Sequence, residues 1–270
     1  MDIIQILQYS FIQKAFIAGS FVAIACSTLG IFLVLRKMSL IGDGLSHVSF
    51  GAIALGLFFG FYPFYIAVPL VALASIAILK ISEKARVYGD AAIGIVSAVG
   101  IAGGVILASL SKGFNVDLFS YLFGNILAIS ASEAILTVIL SFVVLAVVAF
   151  FYWDLFSATF DEEYAKTTGI KTNFINTLLT VLTAITVVLS VKVVGIMLVS
   201  ALLILPAVTA LQVSKNFKTA LVLGGMFALV SVLFGIILSY FLDLPAGATI
   251  VILNAILFTI SLGYKTFFRE

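Results

Sequence analysis

Long apolar runs without a charged residue dominate this chain, and most of them can cross a membrane. A transmembrane helix needs about 20 consecutive apolar residues. Charge-free runs of that length lie at 15–35, 91–111, 134–153, 172–191, 193–214, 219–242 and 244–264. The stretch 38–79 is long enough for two more spans, with a natural break at 60–63. The hydrophobic pattern therefore predicts nine transmembrane helices.

One apolar run, 118–132, is shorter than a span, and the placement of basic residues decides its interpretation. If it is a short or re-entrant helix, 11 of the 14 Lys and Arg residues fall on one side of the membrane. If it crosses, the division is 8 against 6. The positive-inside rule favours the first arrangement, which places the C-terminus in the cytoplasm and the N-terminus outside. The residues on the basic side are Arg36, Lys37, Lys80, Lys84, Arg86, Lys166, Lys171, Lys215, Lys218, Lys265 and Arg269.

Composition agrees with the pattern. Hydrophobic residues make up 63% of the chain and charged residues 10%, with a mean hydropathy of +1.32; soluble proteins carry roughly 25% charged residues. We predict one all-α integral membrane domain over 1–270, a polytopic bundle of about eight to nine transmembrane helices. Residues 1–14 are predicted as an amphipathic helix in the membrane interface.

Composition and motifs also exclude several functions. No basic run with interleaved aromatic residues is present, so the sequence does not indicate nucleic-acid binding. The single Cys26 excludes an intrachain disulfide and a cysteine-based metal site. No G-x-x-x-x-G-K-[ST] loop occurs, so the chain is not a P-loop NTPase by itself.

Asp43 and His47 are the strongest candidate site residues. An ionisable residue within a membrane span is rare and usually functional. The i, i+4 spacing places carboxylate and imidazole on one helix face. Counted from Met38, Asp43 lies about 7 Å and His47 about 13 Å along the axis, close to the middle of a core about 30 Å thick. Oxygen and ring-nitrogen ligands suit Zn²⁺, Mn²⁺ or Fe²⁺.

Two further residues are candidates for a cation pathway near this pair. Ser46 lies within the same helix, and Asp117 stands beside the short 118–132 segment. The alternative for Asp43 and His47 is a structural role, in which they bond only to each other or to a neighbouring helix. The alternative for Asp117 is a helix cap.

One chain offers too few ligands for a complete metal site. Asp43 and His47 are two donor groups, and His47 is the only histidine in the sequence. Zn²⁺ and related ions usually take four or more ligands. A two-fold dimer, or a pair with a homologous partner, would bring two of each residue together.

The segment 154–171 is the longest predicted cytoplasmic connection. Its acidic start, small centre and Gly169 indicate a short helix that ends at a glycine. Because the chain has no ATPase motif, transport needs either an ion gradient or an ATPase docked at such a segment. The alternative is an ordinary solvated connector. The candidate ATPase-coupling residues are Phe160, Asp161, Glu162, Glu163, Tyr164, Ala165 and Gly169.

Other polar residues favour structural roles. Ser130 and Glu133 match a capping box at the start of a span. Lys192, between two spans on the outer side, is expected to extend its ammonium group towards water.

Four motifs resemble the permease subunits of bacterial zinc/manganese/iron ABC importers, in order and over essentially the whole chain. They read LIGDGLSHVSFG at 40–51, LFSYLFGN at 118–125, VGIMLVSALLILPA at 194–207 and DLPAGATIV at 243–251. In this family the Asp and His of the second-helix motif, here Asp43 and His47, line the metal pathway. This sequence departs from the usual pattern at Gly44 and at Ser49-Phe50, where the family more often has Ala and Leu-Pro.

The resemblance implies a type II ABC importer-like permease dimer in the bacterial cytoplasmic membrane. Two cytoplasmic ABC ATPase subunits would supply energy, and an extracytoplasmic metal-binding protein would deliver the ion. The segment 160–170 falls where such permeases carry the coupling helix. The resemblance implies no permanent cofactor, since the divalent ion is cargo, and no enzymatic site of the chain's own.

A second class stays open at this point: an ATP-independent divalent-cation carrier or channel. Proton-coupled carriers normally hold more buried titratable groups than this chain offers. Asp and His without a thiolate are compatible with Mn²⁺, Zn²⁺ and Fe²⁺, so the ligand types do not identify the cargo.

Overall fold

A computed structural model describes residues 8–85, 88–111, 121–126 and 129–268. The helices are α1 (Ser10–Leu35), α2 (Ile41–Phe58), α3 (Pro63–Ala85), α4 (Gly89–Leu110), α5 (Ala131–Phe150), α6 (Tyr152–Phe160), α7 (Glu162–Thr167), α8 (Thr172–Val194), α9 (Val199–Val213), α10 (Phe217–Leu242) and α11 (Ala246–Phe268). A 3₁₀ turn, Ile196–Leu198, leads into α9.

Nine helices within the described ranges are long and apolar enough to span a membrane, as the hydrophobic pattern predicted. They are α1 to α5 and α8 to α11, with the 3₁₀ turn included in the span that ends at Val213. The fold class is therefore a polytopic all-α membrane bundle.

The ends of two helices differ from the predicted bounds. The first span, α1, begins at Ser10, so residues 10–14 belong to it and not to a separate interfacial helix that ends at residue 14. Residues 1–7 lie outside the described part. Helix α5 begins at Ala131, three residues before the predicted start. The Ser130–Glu133 capping box is present with both of its hydrogen bonds, and it sets that start.

The bundle has a buried centre and a more open periphery. Helices α1, α2 and α8 are the most buried spans, whereas α4 is the least buried. Glycines allow the closest approach between α2 and α4, because a Cβ added at Gly51 would meet the backbone of Gly100. Small residues permit such close packing between membrane helices. Helix α2, which carries the candidate site, is thus held firmly between neighbours.

Charged residues distinguish the two ends of the bundle. We call the end of the bundle at which α1 ends, next to Arg36, the basic end. The starts of α8 and α10 lie there too, because Arg36 bonds to Asn176 and Phe217 packs against Phe32. The start of α5 lies at the opposite end, where Glu133 meets Lys192 at the end of α8.

Part of the short segment predicted at 118–132 lies outside the described residues, namely 118–120 and 127–128. Of the described residues, 121–126 pack at the opposite end against the end of α8, and 129–132 lead into α5. Gly124 and Gly195 face each other there with positive φ values of 74° and 85°. A side chain at either position would meet the backbone of the other segment. The re-entrant path of 118–132 stays a prediction.

The connection after α5 forms two helices instead of the single short helix that was predicted. Helix α6 follows α5 after Phe151, and its aromatic residues pack on Phe217 of α10. Helix α7 follows after Asp161. The hydrophobic pattern does not distinguish α6 from the span before it, because its aromatic residues continue the apolar run of α5.

Candidate functional site

Asp43 lies in the first turn of α2, and its carboxylate does not cap that helix. A carboxylate at this position is favoured by the helix dipole, which is the ordinary explanation for an acidic first turn. The helix dipole does not explain why the side chain of Asp43 is exposed on a helix that is otherwise largely buried. Helix α2 is otherwise largely buried, and Asp43 stands on the strip of its surface that the rest of the chain leaves uncovered.

His47 completes a pair with Asp43, one helical turn further on. His47 Nε2 lies 3.7 Å from Asp43 Oδ2, and the side chains are 30% and 52% exposed, respectively. This separation is longer than a hydrogen bond between these atoms. Both groups therefore keep lone pairs that can bind a cation presented from outside the chain.

Ser200 of α9 contributes a third polar group that the sequence analysis did not single out. Its hydroxyl lies 3.4 Å from Asp43 Oδ1. The only available signal was its position inside the VGIMLVSALLILPA motif. Nothing in the local pattern of α9 indicates that Ser200 faces α2.

The contact with Ser200 also measures the depth of the site. Ser200 precedes Val213, the last residue of α9, by 13 residues, or about 20 Å along the helix. Asp43 therefore lies about 20 Å from the end of α9, beside the first residues of that helix.

The remaining predicted pathway residues differ in their placement. Ser46 is fully buried, and its hydroxyl donates a hydrogen bond to the carbonyl oxygen of Asp43 at 2.7 Å. Asp117 lies outside the described residues. Among the residues that are described, no cluster of three or more His, Cys, Asp or Glu side chains exists. The chain thus supplies Asp43 and His47, with Ser200 beside them.

The predicted coupling segment forms helix α7 with a defined start and end. Asp161 caps its N-terminus by accepting a hydrogen bond from the backbone N–H of Tyr164 at 2.9 Å. At the other end, Gly169 has a φ of 89°, and Ile170 N–H donates to the carbonyl of Ala165. This pattern is a Schellman motif, which favours glycine at the left-handed position. The predicted glycine-terminated helix is confirmed.

Two aromatic side chains, Phe160 at the end of α6 and Tyr164 in α7, are exposed at the surface of the basic end. Phe160 and Tyr164 are 58% and 63% exposed, whereas Ala165 is fully buried against the bundle. Glu163 is also exposed. Glu162 instead turns towards the bundle, where it pairs with Lys166 at 3.1 Å and accepts a hydrogen bond from Asn176 at 3.4 Å. The predicted coupling residues therefore divide into an outward and an inward set.

A second ion pair, between Glu133 and Lys192, lies at the opposite end of the bundle. The Lys192 Nζ atom is 3.0 Å from Glu133 Oε1, with side chains only 14% and 7% exposed, and it lies over the Tyr121 ring. The prediction that Lys192 extends towards water is wrong, because Glu133 gives the ammonium group a buried partner. Burial raises the pKa of the nearby Tyr62 hydroxyl, and the charge of Glu133 raises it further.

Comparisons with known proteins identify the family of this chain. A family model described as the ABC 3 transport family matches residues 8–265. The chain is 36% identical to the manganese transport system membrane protein MntC of Listeria monocytogenes, over 95% of this chain and 91% of that protein. It is 33% identical to the high-affinity zinc uptake system membrane protein ZnuB of Haemophilus influenzae, over 94% and 97%.

Solved structures share the fold. PsaBC from Streptococcus pneumoniae, in complex with Fab, matches with a TM-score of 0.87 at 35% identity, over 96% of this chain and 94% of that chain. An inward-facing putative metal-chelate type ABC transporter matches with a TM-score of 0.74 at 20% identity, over 94% and 84%. On the family match over residues 8–265, this chain belongs to the ABC 3 transport family.

Proposed function

We propose that this protein is the permease subunit of an ATP-driven importer that moves divalent transition-metal ions across the bacterial cytoplasmic membrane. The observation that carries the proposal is the Asp43–His47 pair, deep in the bundle and open on one side. Membership of the ABC 3 transport family gives the pair its context. Relatives named for manganese and for zinc transport support a metal as cargo.

The open side of the pair supports a second copy of the subunit. A carboxylate in the middle of a bilayer does not face lipid without a large energetic cost. A two-fold partner, or a homologous one, would cover this strip of α2 and add a second Asp43 and His47. The resulting set of two carboxylates and two imidazoles satisfies a four-coordinate ion.

The cargo is Mn²⁺, Zn²⁺ or Fe²⁺, and the ligand types support all three. Oxygen donors from Asp43 and Ser200 suit Mn²⁺, whereas the imidazole of His47 also suits Zn²⁺ and Fe²⁺. Selection among them is then a task for the extracytoplasmic metal-binding protein that delivers the ion. In this proposal the ion is cargo and not a permanent cofactor, and ATP hydrolysis is left to partner subunits.

ATP hydrolysis belongs to two cytoplasmic ABC ATPase subunits that dock at α7. The exposed Phe160 and Tyr164 supply aromatic anchors of the kind that dominate protein interfaces. Asp161 and Gly169 hold the helix in shape from its two ends, and Ala165 fixes it to the bundle. The basic end then faces the cytoplasm, in agreement with the positive-inside rule.

Reconstitution in proteoliposomes tests the proposal. The subunit is combined with its ATPase and binding protein, and uptake of Mn²⁺, Zn²⁺ and Fe²⁺ is measured with ATP and with a non-hydrolysable analogue. Uptake of one of these metals that requires hydrolysis supports the importer. Equal flux without ATP would assign the chain to ATP-independent carriers or channels instead.

A further inference from the structure

Arg36 lies at the basic end, where it joins three helices. It follows the last residue of α1. Its Nε donates to Thr159 Oγ1 of α6 at 3.0 Å, and its Nη1 donates to Asn176 Oδ1 of α8. Both bonds link side chains more than a hundred residues apart in the sequence. A planar guanidinium suits this task because its donors point in fixed directions.

The network continues from Asn176 into α7. The Asn176 amide donates to Glu162 Oε1, and Glu162 also pairs with Lys166. Although partial burial acts to raise the pKa of Glu162, the Lys166 ammonium and these hydrogen bonds hold it below its ordinary value. Burial lowers the pKa of Arg36, and the negative charge of Glu162 opposes that effect. A continuous network of charged and polar side chains therefore connects α7 with the end of α1.

Arg36 is also connected rigidly to the helix that carries the metal site. Lys37 has a left-handed φ of 57°, and Met38 N–H donates to the Leu33 carbonyl at 2.8 Å, which completes a Schellman motif. Helix α2 begins at Ile41, and Asp43 lies in its first turn. A displacement of Arg36 therefore moves a fixed turn that leads directly into the site.

The network has room for a second arrangement. A cavity of about 250 Å³ is lined by Arg36, Thr159, Glu162 and Asn176, among others. The buried Arg36 Nη2 has no hydrogen-bond partner among the described residues. The Glu162 carboxylate lines the same cavity and is a charged group available to this donor.

We propose that Arg36 is a positioning residue that transmits movement of α7 to the metal-site helix α2, by exchanging its bond with Asn176 for one with Glu162. This inference rests on the proposed function, since it assumes that an ATPase moves α7. The observed arrangement with Asn176 and the proposed one with Glu162 would form the two-state element that energetic coupling requires. Arg36 does not touch the metal.

The test measures the number of metal ions imported per ATP hydrolysed, in proteoliposomes that hold the complete transporter. Arg36→Ala is expected to retain ATPase binding and ATP hydrolysis but to lower this ratio by roughly tenfold, within the range reported for residues along coupling networks. Arg36→Lys keeps the charge but loses the two-directional fork, so it should restore little of the ratio. A purely structural role for Arg36 would lower hydrolysis and uptake together.

Thr159→Val and Asn176→Ala each remove one partner of Arg36 and remain informative if Arg36→Ala does not accumulate. Each should lower the ratio, and Arg36→Ala combined with Asn176→Ala should add little to either alone, because contacting residues are not additive. Lys215→Ala is the matched control, since Lys215 is an exposed cation at the same end.

The outcomes separate this inference from the proposed function. If the wild-type transporter shows no ATP-dependent uptake, the proposed function fails. If the wild type works and Arg36→Ala keeps the wild-type ratio, or if Lys215→Ala loses it equally, the role of Arg36 is overturned while the importer stands.

Discussion

Two acidic–basic pairs within the spanning helices, Glu133–Lys192 and Asp43–His47, differ in nearly every physical respect. Glu133 and Lys192 are buried and lie 3.0 Å apart, with Ser130 N–H donating to the second carboxylate oxygen. Asp43 and His47 are partly exposed and lie 3.7 Å apart. The first pair is closed because its charges are matched within the chain. The second is open because both of its side chains are partly exposed, with only a long contact of 3.4 Å from the Ser200 hydroxyl to Asp43 among the described residues, and openness of this kind indicates a binding site.

The largest effect that tests this contrast is expected at the open pair. Asp43→Ala and His47→Ala each remove a proposed metal ligand. Mutation of residues that only hydrogen-bond to a ligand typically costs about 10- to 100-fold in metal affinity or activity, so metal uptake should fall by at least that much here. Uptake is compared at equal protein level in the membrane. Wild-type uptake by both variants would reduce the pair to a packing contact.

The closed pair should respond in stability. Lys192→Met leaves the Glu133 charge buried and unpaired, which is expected to cost about 3–5 kcal/mol of unfolding free energy. Glu133→Gln combined with Lys192→Met removes both charges and should recover much of that loss. Thermal unfolding in detergent measures the change.

Transport by the closed-pair variants sharpens the comparison further. Per folded molecule, the double variant should import metal as the wild type does. A specific loss of uptake in a stable double variant would show that Glu133 or Lys192 acts on the cargo, and the division between an open and a closed pair would be lost.

A smaller effect is expected at Ser200. This residue contacts Asp43, but the sequence did not predict it as a metal ligand. Ser200→Ala removes the hydroxyl 3.4 Å from Asp43 Oδ1. We expect metal affinity to fall about tenfold, at the low end for supporting groups. Isothermal titration of the detergent-solubilised permease with Mn²⁺ measures it; unchanged affinity would mean that Ser200 only packs near Asp43.

The smallest effect is expected at Ser46, a candidate pathway residue from the sequence. Its hydroxyl bonds to the Asp43 carbonyl within the same helix, an arrangement that contributes little to stability. Ser46→Ala should therefore change uptake by less than about twofold. If Ser46→Ala lowered metal uptake as much as His47→Ala does, Ser46 would instead be part of the cation pathway.

Sequence reasoning predicted the spans well because hydrophobicity is a local property. Seven charge-free runs and the division of the stretch 38–79 identified all nine spanning helices in the described ranges, and the Ser130–Glu133 box and Gly169 were predicted from capping rules. Helix α6 was missed because an aromatic interfacial helix reads as a continuation of the span before it. The fate of Lys192 was missed because its partner is 59 residues away.

The sequence alone determined that this protein is a helical membrane bundle and that Asp43 and His47 share one face of α2, since hydropathy and helical period act between near neighbours. Only the tertiary structure decided which polar residues are satisfied within the chain. In the folded chain Ser200 lies beside Asp43, Glu133 pairs with Lys192, and Arg36 bonds to side chains of α6 and α8. The reason is that packing brings together side chains from distant segments, and no local rule records those pairings.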